Sequence, residues 1–325
     1  MRLILHLVDL LVRGTALMLA LVGALLALAC LGGAFSDRLD ALTHLTPVWL
    51  CLGLAAATLG AIATRDEERR VVLVLALLTV VVTAGLMTPE LAAATRRPVK
   101  AQETTLKLVQ FNVWAENDDP EATLRWIQAQ NADVLMLEES AGPDSWRIQK
   151  RLGKTYPYKV SCDGLRTCDT WILSRWPMVR QRGFYQDGRG LAGAWATLRH
   201  PAGDFTVVAT HFGWPVPAGV QQAQSRLLAR KIAPFPKDTT IVAGDFNSTP
   251  WSFSLRRQDK ALGLERRTRA LASWPSGAFS RLASAPFPIL PIDHVYAGKA
   301  WRTVKVERGP VLGSDHRPVV VTLTR

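Results

Sequence analysis

Cysteine is scarce, with four residues in 325. Cys30 and Cys51 lie in apolar runs, leaving Cys162 and Cys168 alone in the polar remainder. That pair, in "SCDGLRTCD" with a glycine-containing turn between, predicts a small disulfide loop formed in an oxidising compartment. The loop has no histidine and only two cysteines, which argues against zinc. Internal repeats are absent, as are low-complexity tracts beyond the N-terminal region. Charge is missing from three long stretches: Gly14 to Phe35, Pro47 to Thr64 and Val71 to Met87.

Those stretches match the ~17–25 residues needed to cross a bilayer core. Soluble helices rarely lack a polar face three times in succession, so buried core helices are a poor reading. A cleaved signal peptide would not be followed by two further apolar runs. Residues 1–90 are therefore expected to be an all-α transmembrane anchor of three helices (about 14–35, 47–64 and 71–87), followed by a linker over 91–104. Membrane lipid is the expected partner of these helices, and no obligate protein partner is predicted. The first polar gap holds only Arg38, whereas the second holds Arg65, Arg69 and Arg70, and the N-terminal flank carries Arg2 and Arg13. Lys and Arg favour the cytoplasmic side. The N-terminus and second gap then face the cytoplasm and everything after Met87 lies outside, in the periplasm of a bacterial inner membrane. Arg96, Arg97 and Lys100 oppose this weakly.

Net charge is concentrated in the second part. Residues 1–97 hold 8 Lys/Arg and 7 Asp/Glu, and the remainder holds 31 and 20. Such a balance suits phosphodiester polymers or anionic headgroups. The densest basic stretch, Leu255 to Ala270, reads equally well as a solvated helix face. From Leu106 the pattern becomes short β-type runs: "LKLVQFNVW", "ADVLMLEE", "TWILSR", "GAWATLRH", "FTVVATHF", "TTIVAGDF", "IDHVYAG" and "RPVVVTLT". Several are continuously apolar, as in strands buried on both faces. Asp119-Pro120 predicts a capped helix running to about Gln130, and a second helix is expected over Val220 to Ile232. Residues 105–325 form one mixed α/β domain on this reading.

Polar side chains recur where these strands end: Asn112, Glu138 and Glu139, His211, Asp245 and Asn247, Asp293 and His294, Asp315 and His316. One polar strand end is ordinary turn chemistry. Six in one domain suggest a ligand edge. Hydrolysing a phosphodiester needs a hard divalent cation held by carboxylate and amide oxygens, an imidazole base steadied by a carboxylate, and donors for the developing oxyanion. No cysteine lies near these positions, which argues against thiol chemistry and soft-metal binding.

The ordered set "FNVW", "ADVLMLEES", "TWILSRWP", "ATHF", "GDFNSTPWS", "IDHVYA" and "GSDHRPV" resembles the endonuclease/exonuclease/phosphatase (DNase I-like) superfamily, including its bacterial membrane-anchored members. The resemblance implies an α/β four-layer sandwich of two mixed β-sheets flanked by helices. It implies Mg²⁺, with Mn²⁺ as the alternative, bound by Glu139, Asn112 and Asp315. It further implies His316 as general base oriented by Asp293, Asp245 and Asn247 on the attacking water and phosphate, and His211 on the transition state. Two departures stand out: Ala209 replaces an asparagine found in many members, and the acidic Glu138 replaces a glutamine. His294 is expected to be structural, and Trp214 and Trp251 follow catalytic motifs where they could stack on a base or sugar. The expected activity is metal-dependent phosphodiester hydrolysis, with nucleic acid slightly favoured over a phospholipid or sphingolipid headgroup. A non-catalytic tethered binding module is the alternative of another class.

Overall fold

The computed structural model describes every residue except 96–97, 103, 141–142, 163–168, 186–189 and 281–282, and omits the side chains of 143–146, 278–280 and 283. The Cys162–Cys168 pairing therefore involves a residue outside those described. The chain divides into two units, Met1–Ala93 with Pro250–Leu255, and Ala94–Thr249 with Arg256–Arg325.

The first unit contains α1 (Arg2–Gly32), α2 (Asp37–Thr43), α3 (Thr46–Ala63) and α4 (Asp66–Ala94). Three of these, α1, α3 and α4, are long and apolar enough to cross a membrane. Helix α1 begins twelve residues before the apolar run, and α4 continues to Ala94, so residues 91–94 are helical where a linker was expected. The packing is built on small residues. Ala16, Ala20, Ala56 and Ala76 form its centre with Val72. A Cβ on Gly60 would stand 2.4 Å from Val72 Cγ1. Such surfaces let helices approach closely where lipid removes the hydrophobic drive to associate. Arg13 on α1 pairs with Glu68 at the start of α4, so the N-terminal flank and the second polar gap lie at the same end of the bundle. Asp40 accepts hydrogen bonds from the backbone N–H groups of Phe253 (2.8 Å) and Ser254 (2.7 Å). Trp251 is buried in this unit, with its indole N–H on the His44 carbonyl at 3.3 Å, so it does not stack on substrate.

The second unit is a four-layer sandwich. One sheet runs β13 (Arg302–Arg308), β14 (Val319–Thr324), β1 (Thr105–Asn112), β2 (Val134–Glu138), β4 (Trp171–Ser174), β3 (Tyr158–Ser161). The other runs β5 (Met178–Phe184), β6 (Ala192–Leu198), β7 (Phe205–His211), β8 (Ile241–Asp245), β12 (Asp293–Ala297), β9 (Glu265–Arg266). A two-stranded pair, β10 (Gly277–Ser280) and β11 (Ala283–Ala285), lies apart. Helices α5 (Pro120–Gln130), α6 (Pro143–Leu152), α7 (Val220–Ile232) and α8 (Phe253–Leu262) complete the element order. Asp119 caps α5 by accepting from the Ala122 N–H at 2.8 Å, as its sequence predicts. The eight predicted strands are all present. The single strands that periodicity missed, β3, β5, β9 and β13, are all sheet edges. Charged alternation such as Arg180/Arg182 and Lys305/Glu307 hides an edge strand's apolar signal and also blunts edge pairing.

Strand alternation places the site. The core between the sheets takes Leu106 and Leu108 from β1, Val134 and Met136 from β2, Val207 and Ala209 from β7, Ile241 and Ala243 from β8, and Val295 and Ala297 from β12. Val109, Phe111, Leu135 and Leu137 face the opposite way, against α5 and α6 residues such as Ile127 and Leu152. Side chains two apart share a face. Gln110 and Asn112, Glu138, His211, Asp245 and Asp293 therefore continue the inter-sheet faces of five strands to one rim.

Candidate active site

Register brings the rim residues level. Asn112 is opposite Glu138, His211 is opposite Asp245, and Asp245 is opposite Asp293. The glycine of "GDFN" is required here. A Cβ on Gly244 would stand 1.8 Å from the Thr210 carbonyl oxygen, so only glycine lets β8 lie this close to β7. Glu139 and Asn247 both adopt left-handed backbone, with φ of 51° and 46°. Each turns the chain just past its strand, and strained non-glycine residues of this kind cluster at functional sites.

His316 and Asp293 form the tightest pair, with Nδ1 2.7 Å from Oδ2, both buried. Nε2 of His316 faces Asp245 Oδ2 at 3.6 Å. Burial alone would lower the His316 pKa. The charges of Asp293 and Asp245 outweigh it and hold the imidazole well above its ordinary value. Asp293 is pushed the other way: burial opposes ionisation, but the His316 charge and hydrogen bonds from His316, Ser273 and Gln110 hold it below the carboxylate range. Burial, reinforced by the Asp293 charge, lifts Asp245 to about 6 against the opposing histidines. Asn247 donates from its backbone to Asp245 Oδ1 (2.8 Å) and turns its amide towards the Phe212 carbonyl (2.8 Å) and Asp245 Oδ2 (3.3 Å).

A second histidine lies across Asp245. His211 Nε2 is 3.7 Å from Asp245 Oδ2 and 3.9 Å from Glu139 Oε1, and Nδ1 is 3.8 Å from Asp169 Oδ1. Burial opposes its charge, but Asp169, Asp245 and Glu139 together raise its pKa to about 10. Asn112 donates to Glu139 Oε1 (2.9 Å) and to Asp245 Oδ2 (3.1 Å), while its own Oδ1 accepts from the Trp114 N–H (3.0 Å). Asp315 accepts from the Trp274 indole N–H at 3.0 Å, and its Oδ1 is buried with no hydrogen-bond partner among the described residues. Burial raises the Asp315 pKa, and the Glu139 charge adds to the rise. Glu139, His211 and Asp245 offer ligand atoms mutually within 4.8 Å, as do Asp245, Asp293 and His316. Glu139, Asp245, Asp293 and Asp315 thus crowd around two histidines. An orphaned carboxylate oxygen among oxygen donors is the arrangement a hard divalent cation fits.

All eight predicted site residues meet at this rim. His294 packs below it, with Nε2 2.9 Å from the Ser248 carbonyl and Nδ1 3.4 Å from Thr268 Oγ1, a structural placement. Two neighbours were missed. Asp169 sits just before β4 and approaches His211 only through the sheet, so no local motif marks it. Gln110 donates from Nε2 to both Glu138 Oε2 (2.9 Å) and Asp293 Oδ1 (2.7 Å). Its signal was its spacing, two residues before Asn112 on the same strand face. Glu138 is fully buried, and burial followed by the Asp293 charge holds it protonated, well above the carboxylate range.

Solved structures with this fold come from distant sources. Beta toxin from Staphylococcus aureus, a double mutant with bound magnesium ions, shares 15% identity at a TM-score of 0.55, over 68% of this chain and 100% of its own. D. rerio TDP2 complexed with single strand DNA product shares 14% at 0.55, over 69% and 100%. Sphingomyelinase C from Streptomyces griseocarneus shares 18% at 0.50, over 68% and 100%. Among curated proteins, none matches the chain. The Endonuclease/Exonuclease/phosphatase family profile matches residues 109–316, a stretch that begins in β1 and ends on His316. The chain belongs to the endonuclease/exonuclease/phosphatase family.

Proposed function

We propose that the protein is a membrane-tethered, divalent-metal-dependent phosphodiesterase. The observation that carries this reading is the His316–Asp293 pair at 2.7 Å with the other ring nitrogen turned towards Asp245. Asp293 accepts from Nδ1–H, so Nε2 is the nitrogen that serves as base once the imidazolium has lost its proton above its raised pKa. One water can touch both Nε2 and Asp245 Oδ2, which stand 3.6 Å apart. His316 takes its proton as the water oxygen attacks phosphorus, and the bond from phosphorus to the leaving oxygen breaks. The products are a phosphomonoester and an alcohol. His211, kept cationic by three carboxylates, donates to the developing oxyanion. Asn112 holds Glu139 and Asp245 in place, and the Asn247 backbone N–H fixes Asp245.

Glu139 and Asp315 are the residues that would hold Mg²⁺ or Mn²⁺, with Asn112 beside them. The bound cation would neutralise phosphate charge and lower the pKa of the attacking water or the leaving oxygen. Magnesium ions in the beta toxin structure support this choice. An anchor over 1–90, a linker over 91–104 and a catalytic domain over 105–325 follow from the change from apolar runs to strand patterning. The outward placement of the catalytic unit, in the bacterial periplasm, rests on the arginine distribution. The juxtaposition of Arg13 with Glu68 supports a shared side for the N-terminus and second gap.

The test uses the full chain in detergent with bis(p-nitrophenyl) phosphate, in Mg²⁺ and in EDTA. Metal-dependent hydrolysis lost in His316→Ala and Asp245→Ala, with unfolding temperature retained, is the expected result. Hydrolysis that survives either substitution overturns this assignment of the site. Absence of metal-dependent hydrolysis in the wild type favours the non-catalytic module.

A further inference from the structure

The loops around the site have an unusual composition for a chain of formal net charge +12. Gly213–Gly219 ("GWPVPAG"), Leu271–Gly277 ("LASWPSG"), Pro286–Ile292 ("PFPILPI") and Gly309–Ser314 ("GPVLGS") contain no Asp, Glu, Lys or Arg. The structure joins these segments on the Asp315 side. Trp274, whose indole N–H holds Asp315, packs edge to face on Trp214 with ring centroids 5.8 Å apart. The Ile289 N–H donates to the Trp274 carbonyl at 3.0 Å, and Val311 Cγ1 lies 3.0 Å from where a Cβ on Gly277 would stand. Trp214 (61%), Phe287 (64%) and Val311 (51%) are largely exposed. An exposed apolar band beside a reactive centre marks a binding surface.

Among the described residues, the basic side chains beside these loops bond to backbone, as exposed Arg308 does to the Ala272 carbonyl at 2.9 Å. The loop after β1, whose Ala115 N–H approaches Glu139, carries the exposed acids Glu116, Asp118 and Asp119. Arg317 follows the base, but its Nε donates to the Gly309 carbonyl at 2.7 Å. Within the basic stretch 255–270, Arg266 is buried on Asp259 and the Thr268 carbonyl, and Arg267 donates to the carbonyls of Ala297, Gly298 and Trp301. Arg166, Arg189 and Arg281 lie outside the described residues. A nucleic-acid site needs cations for the phosphates flanking the scissile one. The described rim supplies apolar surface and acid instead.

We propose that the band formed by Trp214, Trp274, Phe287, Ile289 and Val311 seats the apolar part of an amphiphile, which makes the substrate a membrane-lipid phosphodiester and not a nucleic acid. This inference rests on the phosphodiesterase reading of the same site. Tryptophan suits such a place, with a large apolar ring and one polar edge, and helices apolar enough to span a membrane keep the chain at lipid. It reverses the preference for nucleic acid drawn from net charge, because Arg266, Arg267 and Arg317 donate to internal carbonyls and carboxylates.

The test compares three substrates on the full chain in Mg²⁺: bis(p-nitrophenyl) phosphate, vesicles of phosphatidylethanolamine, phosphatidylglycerol and sphingomyelin, and single-stranded DNA and RNA oligonucleotides. Cleavage of at least one lipid in preference to both oligonucleotides is expected. In Trp214→Ala, and independently in Val311→Ser, the ratio of lipid to small-diester kcat/KM falls, roughly tenfold for the tryptophan. Preferred cleavage of an oligonucleotide, or a ratio unmoved in both variants, overturns the inference while the phosphodiesterase reading stands. No metal-dependent hydrolysis of the small diester or any lipid overturns both.

Discussion

The two histidine regions of the rim use the same pair of chemical groups to different ends. His316 is buried and contacts Asp293 at 2.7 Å, with Gln110 and Ser273 fixing the carboxylate from behind. His211 stands in the cleft with three carboxylates at 3.7–3.9 Å and none at hydrogen-bond distance. A close single partner selects a tautomer and aims one nitrogen, as a base requires. A looser ring of charges raises the pKa without choosing a direction, which suits a cation facing developing negative charge. Geometry, and not residue type, separates the two histidines and underlies the roles proposed for them.

The sharpest way to break this comparison is His316→Ala, expected to lower kcat roughly 10³-fold or more against a soluble diester with metal binding retained. Asp293→Asn follows at about 10²-fold. Removing its charge lowers the His316 pKa, so the base is free at lower pH and the acidic limb of the kcat/KM profile moves down. His211→Ala is expected to cost about 10²-fold as a lost oxyanion donor. Asp169→Asn has a smaller effect, about tenfold or less, and a different signature. With one of its three supporting charges gone, the His211 pKa falls from about 10, so the basic limb moves to lower pH. If Asp293→Asn and Asp169→Asn shift the same limb, the division of roles is wrong.

The smallest effect is on stability. His316 titrates above its unfolded value, so its contribution is complete below about pH 6.5 and is lost as pH rises through the folded pKa. Asp293 titrates below its unfolded value, so its contribution is complete above about pH 3.9 and is lost on acidification through the folded pKa. The unfolding-temperature gap between the metal-free wild type and His316→Gln should therefore be widest between about pH 4 and 6.5, a few degrees in size. A gap that grows steadily above about pH 8 would contradict the ion pair.

Composition and short-range pattern were enough for much of this molecule. Three uncharged runs predicted helices long and apolar enough to cross a membrane, because a surface helix of a water-soluble protein keeps a polar face. Central strands announced themselves by continuous apolar runs, and "GDFN" and "GSDHRP" marked the candidate site because polar residues at buried strand ends need a reason. The edges were silent. β5 and β13 carry charges at alternate positions and read as loops until a neighbour pairs with them. Asp169 and Gln110 were silent too, since their partners stand 42 and 183 positions away in the chain and only the sheets bring them together. Trp251 shows the opposite error, a motif tryptophan whose position next to "GDFN" suggested substrate but whose ring is buried on the His44 carbonyl. Net charge is silent on the substrate for the same reason. A sequence counts arginines, but whether a guanidinium meets a ligand or a backbone carbonyl depends on which surfaces the fold leaves open. What the sequence determined alone was the long apolar helices, the central strands and the residue types of the candidate site. The tertiary structure decided which histidine is held close by one carboxylate, which carboxylates crowd together and which loops border them, because these depend on distances between residues far apart in the chain.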